Sequence, residues 1–283
     1  TFGPPIEGWL SPGAGFEVPA GSGVNYLFAG ALWVGGVVNG DTLVSTGADG
    51  WWSVREMFPD AQGQGVTKVM GPGECAYRAE FSDTNTTLAR LDPGSGQPHR
   101  PLNVRIANRG HIWRTDPDNA VVIYDIVLTN VGLDPIDDGY IGFYMDADVF
   151  YNNGSINGFD DDLTGSIRSL GTAYINDNDG DFDAAANQGG KTTARAFCFR
   201  MTGASTPMAD TNYNWWISNG YAPLDFGPRL RGTAEDPFRD LGTGGLGTPN
   251  GDANKYYFLR HREWDYDQID RKSTRLNSSH GKL

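Results

Sequence analysis

The stretch from Val121 to Phe150 constrains the fold more than any other part of the chain. It reads VVIYDIVLTN, then VGLDPIDDG, then YIGFYMDADVF, so two β-type runs flank a turn rich in Asp, Gly and Pro. Side chains alternate between the two faces of a strand, and both faces of the first run are mostly apolar. The pattern therefore predicts a central strand that is joined to an antiparallel partner as a hairpin.

Composition favours an all-β class. The 283 residues include 39 Gly and 16 Pro, which is typical of a fold with many turns, and no long apolar stripe has helical spacing. Asn39 and Gly40 separate the apolar run 26–38 from the run 41–45, and Asn-Gly is the strongest short signal for a hairpin. We therefore predict a large antiparallel β-sandwich with long Gly/Pro/Asp-rich loops.

The pattern predicts one domain between two segments of different character. Residues 1–23 are rich in Gly and Pro and are expected to form an irregular lead-in or linker. Residues 24–269 are expected to form the sandwich. Residues 270–283 include DRKSTRLNSSH, which resembles a translated sequencing adapter. We expect this tail to be non-native and the natural fold to continue past residue 269.

The net charge of the chain limits the kinds of molecule that it is expected to bind. The formal net charge is −13, from 22 basic and 35 acidic residues, which argues against a nucleic-acid or anionic-membrane partner. No apolar run approaches the roughly 18 residues of a membrane helix, so no membrane insertion is predicted. The acids are 28 Asp and 7 Glu. Asp favours turns, and clustered Asp carboxylates in turns can bind hard cations.

An Asp-rich turn is the most specific chemical signal. Ca²⁺ needs six to eight oxygen ligands, and a tight acidic turn can aim several of them inward. The turn places carboxylates at every second residue, in Asp177, Asp179, Asp181 and Asp183. The spacing resembles the DxDxD opening of calcium loops in EF-hand, dockerin and thrombospondin-type repeats, but Phe182 and Gln188 replace the expected Gly and final acid. A calcium site at a β-turn and a solvated hairpin tip are the two interpretations.

A second acidic group surrounds the end of the 121–150 stretch. Asp146 and Asp148 share a strand face, and the following loop could bring Asp160 and Asp162 back over them. One interpretation is a second cation site. Another is a carboxylate pair for glycosidic hydrolysis, which needs a separation of about 5 to 9.5 Å. A third is a pair of strand-end carboxylates that face water.

Aromatic residues are candidates for glycan binding. Tyr213, Trp215 and Trp216 lie within the short run NYNWWIS. If exposed, such rings can stack on sugar faces while nearby Asn and Asp side chains bind hydroxyl groups. Packing in the core is the alternative interpretation.

The two cysteines, Cys75 and Cys198, are far apart in sequence. In an exported protein they could close one long-loop disulfide, and they are our candidate pair. Two free buried thiols are the alternative.

Four segments carry a resemblance to a class of proteins. They are LWVGGVVNGDTLVSTGADGW (32–51), TNVG…IGFYMDADV (129–149), YINDNDGDFD (174–183) and NWWISNG…DFGPR (214–229). Together they resemble the extracellular β-sandwich regions of large, uncharacterised exported bacterial proteins with Asp-rich calcium-type loops. The resemblance implies a surface location and structural or binding work, and it transfers no catalytic residue.

These observations predict a non-catalytic structural or binding domain of an exported surface protein, stabilised by Ca²⁺ in its acidic loops. The expected partners are an extracellular glycan or other domains of the same protein. The competing hypotheses are a carbohydrate-active hydrolase or lyase and a glycan-binding module.

Overall fold

A computed structural model of the chain describes residues 16–18, 22–48, 55–59, 66–71, 74–91, 96–113, 121–151, 162–177, 196–205, 211–216, 249, 251–265 and 267. Within the span for which the sequence predicts one domain, the chain divides into two compact units. Unit 1 is built on Ala31–Tyr144 and Pro249–Leu259. Unit 2 is built on Gly3–Gly30, Met145–Thr248 and Arg260–Leu283.

The predicted all-β class is confirmed, since strands dominate the described residues and their sheets are antiparallel. The described strands are β1 (Val24–Asn25), β2 (Ala29–Val38), β3 (Asp41–Thr46), β4 (Phe58–Pro59), β5 (Val66–Gly71), β6 (Glu74–Ser82), β7 (Val104–Trp113), β8 (Ile123–Asn130), β9 (Asp137–Asp146), β10 (Phe150–Tyr151), β11 (Leu163–Ile167), β12 (Thr172–Asn176) and β13 (Phe197–Arg200). A 3₁₀ turn spans Arg168–Leu170, and one helix, α1, spans Gly251–Arg260.

The first sheet of unit 1 has the strand order β3-β2-β9. Its β2–β3 hairpin confirms the Asn-Gly prediction, because Val38 pairs with Asp41 across a two-residue turn. Asn39 and Gly40 both have positive φ, at 52° and 86°. A turn with two left-handed residues matches the twist of the flanking strands, and Asn-Gly tolerates that geometry best.

The second sheet of unit 1 has the order β4-β6-β7-β8, and β5 also pairs with β6. Strands β6 and β7 form its longest ladder, from Glu74 opposite Trp113 to Ser82 opposite Arg105. In β7 the side chains of Val104 and Ile106 are buried, whereas Arg105 is exposed. This alternation is the signature of a sheet with one face on the core and one face in water.

Both sheets of unit 1 contribute side chains to the same core. The buried cluster comprises Leu32, Val34, Leu43, Met57, Leu102, Val104 and Ile106. Partly buried side chains from β6, β8 and β9 pack against it, among them Phe81, Ile126, Leu128 and Phe143. Full burial of one such aliphatic side chain stabilises a fold by about 1.5–3 kcal/mol. This cluster is therefore the main apolar source of stability in unit 1.

The predicted hairpin within 121–150 is wrong. Strand β8 pairs with β7 at the end of the second sheet, and β9 lies beside β2 in the first sheet. Among the described strands β7 is the one neighbour of β8, and the turn between β8 and β9 carries the chain from one sheet to the other. In that turn Asn130 caps the backbone, because its Oδ1 accepts the Gly132 amide at 2.9 Å and its Nδ2 donates to the Asp134 carbonyl at 2.8 Å.

Helix α1 is an element that the sequence pattern does not predict. Four consecutive residues, Lys255–Phe258, are buried, so the helix lacks the single apolar stripe that reveals an amphipathic helix. The Tyr256 hydroxyl donates to the Asp138 carbonyl at 2.8 Å. No helix among the described residues is long and apolar enough to cross a membrane.

Gly36 in β2 tests how tightly unit 1 is packed. A Cβ at this position would clash with the Ile136 Cγ2 methyl and lie 3.3 Å from the Asp137 carbonyl oxygen. Because Ile136 is β-branched, its methyl cannot swing away easily. We expect Gly36→Ala to lower the free energy of unfolding by about 1–3 kcal/mol, in the range of overpacked cores. Gly139→Ala, where a Cβ meets open space, is the control for urea denaturation, and equal losses in both variants would refute this packing.

Unit 2 contains two smaller sheets. Strand β1 pairs with β10, and β11, β12 and β13 form a three-stranded antiparallel sheet. The 3₁₀ turn and Gly171, which has a φ of 59°, reverse the chain between β11 and β12. The Ser166 amide donates to Asp267 Oδ1 at 2.7 Å, which ties β11 to a residue 101 positions later.

Candidate functional site

Two acidic residues from separate predicted groups lie one position beyond the ladder at the open end of the β11–β12 hairpin. The last ladder pair at this end is Leu163 with Asn176, and Asp162 and Asp177 adjoin these two residues in sequence. Asp177 is buried and Asp162 is half-buried. We call this pair the acidic hairpin end.

The acidic hairpin end also contacts the segment that follows β9. Asp162 Oδ2 accepts a hydrogen bond from the Val149 amide at 2.8 Å, next to the half-buried Asp148. The Asp146 carbonyl accepts the Phe28 amide at 2.9 Å. The loop after β10 therefore returns to the neighbourhood of Asp148 at residue 162, which brings members of both predicted acidic groups into one region of unit 2.

Four of the eight predicted metal ligands, Asp160, Asp179, Asp181 and Asp183, lie outside the described residues. Among the residues that the structure does describe, no group of three or more His, Cys, Asp or Glu side chains could hold a metal ion. The described part of the acidic hairpin end thus supplies the carboxylates of Asp162 and Asp177, and Asp148 precedes the residue whose amide binds Asp162. Any further ligand would have to come from elsewhere in the loops.

The predicted glycan-binding rings differ in their exposure. Tyr213 and Trp215 are buried, and Trp216 is half-buried. The Tyr213 hydroxyl lies 2.6 Å from Thr164 Oγ1, and the Trp215 amide donates to Asp265 Oδ2 at 3.1 Å. Burial raises the pKa of Asp265 to about 7. The hydrogen bond from the Trp215 amide opposes this rise, and the charge of Glu263 adds to it. Tyr213 and Trp215 therefore pack inside unit 2, and Trp216 retains partial exposure.

Cys198 lies in β13 and carries a free, exposed thiol, so its predicted disulfide is not formed in this structure. Burial of part of the side chain raises the pKa of the thiol. The side chain of Cys75 lies outside the described residues, although its backbone belongs to β6.

Unit 1 contains a buried polar cluster that the sequence analysis missed, and we call it the Glu56–His99 cluster. His99 Nδ1 lies 3.2 Å from Glu56 Oε1, and its Nε2 lies 3.2 Å from the Asp83 carbonyl oxygen. The side chains of His99 and Glu56 are 1% and 5% exposed. Glu56 Oε2 also accepts the amide and hydroxyl of Thr46, at 2.8 and 3.1 Å.

Asp83 organises the other side of the Glu56–His99 cluster. Its Oδ2 accepts Ser45 Oγ and the Leu102 amide, each at 2.7 Å, and its Oδ1 accepts the Val104 amide at 2.8 Å. Three donors on one buried carboxylate satisfy its oxygens and fix the entry into β7. Asp83 therefore joins β3 to the start of β7.

The contacts of His99 determine its protonation state. Both ring nitrogens face oxygen acceptors, one in a carboxylate and one in a carbonyl, so both contacts are hydrogen bonds only when both nitrogens carry a proton. Burial lowers the pKa of His99, but the hydrogen bond and charge of Glu56 and the charge of Asp83 outweigh burial and raise it. The geometry and the neighbouring carboxylates therefore favour the protonated form of His99.

The carboxylates around His99 differ in their pKa values. Burial raises the pKa of Glu56, but the His99 hydrogen bond and the charge of buried Lys255 outweigh it, so the net pKa is lowered. Burial raises the pKa of Asp83 despite its donors. Burial, followed by the charge of Glu56, raises the pKa of Asp252 to about 6. Glu56 is thus the ionised partner of His99.

The Glu56–His99 cluster resembles a hydrolase site in residue types only. Ser45 donates to Asp83 rather than to His99, so the contact between serine and histidine that a catalytic triad uses is not formed by these two residues. Ser45, Glu56 and Asp83 are all buried. The cluster therefore supports the fold, and its residues come from segments whose local patterns give no signal of a shared site.

Comparison of the chain with protein-family models, with curated proteins and with solved structures finds no match.

Proposed function

We propose that this chain is a non-catalytic structural or binding module of an exported surface protein, and that Ca²⁺ stabilises its acidic hairpin end. The observation that carries the proposal is the position of Asp162 and Asp177, each of which lies one residue beyond the last ladder pair, Leu163 with Asn176, at the open end of the β11–β12 hairpin. Like charges that lie close together repel each other. A divalent cation between the two carboxylates would turn that repulsion into attraction.

The proposed site draws further ligands from the sequence on either side of the pair. Asp148 adjoins the Val149 amide that binds Asp162. Asp179, Asp181 and Asp183 follow Asp177 at alternate positions. Ca²⁺ tolerates irregular sets of six to eight oxygens, so a hairpin end, a strand end and a turn can share one ion. Such an ion would fix three segments of unit 2 to one another.

A structural role agrees with the chemistry of unit 1. Two sheets share one core there, and we propose that this arrangement is the sandwich expected from the sequence. Within the described residues, the His, Ser and carboxylate groups of the Glu56–His99 cluster are bonded to one another and buried. This arrangement suits a stable scaffold whose loops carry the ligand-binding groups.

Thermal unfolding with and without calcium tests the proposal. We expect the melting temperature of the full chain to rise when millimolar Ca²⁺ replaces EDTA. A ligand at about 100 times its dissociation constant adds roughly 2.7 kcal/mol. In a domain of 150–250 residues each kcal/mol raises the melting temperature by roughly 2–4 °C.

Two variants distinguish calcium binding at the acidic hairpin end from a general effect of calcium on an acidic protein. Asp162→Asn together with Asp177→Asn removes both carboxylates of the acidic hairpin end with little change in shape, and we expect the calcium-dependent rise to disappear. Asp134→Asn changes one exposed acid in unit 1 and should leave the rise intact. An equal rise in all three proteins, or none in the wild type, would contradict calcium binding at the acidic hairpin end.

A further inference from the structure

Helix α1 carries a mixed stripe of charged and apolar side chains along one face. Residues at the spacing i, i+3, i+4 and i+7 share one face of a helix, and in α1 they are Asp252, Lys255, Tyr256 and Leu259. Lys255 and Tyr256 are buried, and Asp252 and Leu259 are half-buried. We call these four residues the α1 stripe. Hydrophobicity alone does not reveal it, because half of its members are charged.

The apolar half of the α1 stripe packs on the first sheet at two glycines. A Cβ on Gly35 of β2 would lie 2.7 Å from the Leu259 Cδ1 methyl and 3.0 Å from Cδ2 of the Tyr256 ring, and a Cβ on Gly142 of β9 would clash with Leu259 Cδ2. Val34, the neighbour of Gly35, belongs to the core cluster, and adjacent residues of a strand point to opposite faces. Helix α1 therefore packs on the face of the first sheet that points away from the core cluster.

The charged half of the α1 stripe meets the Glu56–His99 cluster. The Asp252 carboxylate accepts the backbone amide of Val44 in β3. The charged groups that act on Asp252 come from α1 itself and from the segments before β4 and β7, and they are Glu56, His99, Lys255 and Arg100. Arg100 is exposed and pairs with Asp41, whereas Lys255 is buried and also acts on Glu56. Helix α1 thus brings one carboxyl group and one ammonium group to the cluster.

The ionisation of Asp252 changes the balance of charge where α1 meets the cluster. When Asp252 is neutral, the negative charges of Glu56 and Asp83 are matched by protonated His99 and by Lys255. Ionised Asp252 adds a negative charge that Glu56 repels. Burial, followed by the charge of Glu56, raises the pKa of Asp252, so the docked helix favours the protonated carboxyl group. Docking is therefore strongest at low pH and weakens as Asp252 loses its proton.

The core of unit 1 does not depend on α1. Among the described residues, every buried member of the core cluster lies between Leu32 and Ile106. The ladders β2–β3 and β6–β7 also lie outside α1. Helix α1 has 10 residues, and isolated helices shorter than about 12–15 residues are marginal in water. The docked contacts therefore hold α1 in place, and α1 can open while the sheets stay folded.

We propose that helix α1 is a pH-sensitive clasp on the first sheet of unit 1, which is closed in mildly acidic solution and opens more often as Asp252 ionises toward neutral pH. Each opening uncovers the face of the sheet around Gly35 and Gly142. The inference is independent of calcium binding, because Asp252 and the groups that act on it belong to unit 1 and the acidic hairpin end belongs to unit 2.

Hydrogen exchange of the full chain in EDTA, measured by mass spectrometry, tests the clasp. Protection is compared after correction for the intrinsic exchange rate at each pH. We expect the amides of α1 to be less protected than those of the β6–β7 ladder, because α1 opens on its own. A rise of the Asp252 pKa from 3.8 to about 6 on docking predicts that the protection of α1 falls about tenfold from pH 5 to pH 7.

Two variants show whether Asp252 is responsible. Asp252→Asn keeps the shape of the side chain and an oxygen that can accept the Val44 amide, but it cannot ionise, so the protection of α1 should be the same at pH 5 and pH 7. Asp134→Asn, at an exposed acid of unit 1, is the control and should keep the tenfold fall. The proposal would be overturned by equal protection of α1 and the β6–β7 ladder, by a wild-type α1 whose protection does not change with pH, or by a fall that survives Asp252→Asn.

Discussion

Replacing Asp83 with Ala is expected to lower the free energy of unfolding of the chain by about 3–5 kcal/mol, the range seen when one member of a buried charged network is removed. Asp83 is fully buried and accepts Ser45 Oγ, the Leu102 amide and the Val104 amide. Without it these three donors lose their acceptor where water cannot replace it, and a buried donor without an acceptor is costly.

Urea denaturation of the full chain measures this loss. Asp41→Ala is the matched control, because Asp41 pairs with Arg100 on the surface of the same unit, and both side chains are more than half exposed. Exposed ion pairs contribute about 0–1 kcal/mol. A loss in Asp83→Ala no larger than that in Asp41→Ala would mean that Asp83 does not organise the start of β7.

Glu56→Gln is expected to cost on the order of 3 kcal/mol near pH 6, since it leaves the His99 imidazolium buried without its anionic partner. The substitution keeps the shape of the side chain and removes its charge. Asp125→Asn is the control, because Asp125 accepts from His111 at 3.0 Å in an exposed version of the same pair. We expect less than about 1 kcal/mol there.

The same variant alters the pH dependence of stability. The pKa of His99 is raised above its ordinary 6.5, so its contribution is complete below that pH and is lost as pH rises through the folded-state pKa. Asp252, with a pKa raised to about 6, acts in the same direction, and its contribution is lost as pH rises from 3.8 through about 6. Glu56, whose pKa is lowered from 4.5, contributes above that pH, and its contribution is lost as pH falls.

The wild type should therefore be most stable in mildly acidic solution and should lose stability toward alkaline pH. Glu56→Gln removes the group that raises the pKa of His99, so its alkaline loss should begin at lower pH. Urea denaturation at pH 5, 6, 7 and 8 shows the difference. Identical pH profiles for wild type and Glu56→Gln would contradict a protonated His99.

Local signals predicted local structure well. The β2–β3 hairpin follows from Asn39 and Gly40, because their φ values require residues that tolerate the left-handed region. The alternation at Val104, Arg105 and Ile106 likewise marks one buried and one exposed face of β7. In both cases the determining interaction lies within a few residues of the chain.

Sheet assignment could not be predicted in the same way. Apolar residues on both faces of β8 indicated a strand buried on both sides, yet Ile126 packs against the core whereas Val127 is exposed. The missed alternative is a strand whose exposed face is apolar. Periodicity reports which residues share a face, but it does not report which strand lies alongside.

The candidate site was predicted only in part for a related reason. The sequence marks Asp162 and Asp177 as acidic loop residues, but their position at the same end of one hairpin depends on the register of β11 against β12. The Glu56–His99 cluster joins segments that are far apart in sequence and share no motif. The Ser45–Asp83 bond spans 38 residues, and the Asp83–Val104 bond spans 21 residues. Contacts of this kind depend on which segments the fold brings together, and local sequence patterns do not show this.

Isothermal titration of the full chain with Ca²⁺ measures calcium binding itself rather than its effect on stability. We expect saturable binding by the wild type and by Asp134→Asn, with the binding at the acidic hairpin end lost in the double variant Asp162→Asn and Asp177→Asn. Absence of calcium binding by the wild type at millimolar concentration, or unchanged binding by the double variant, would contradict it.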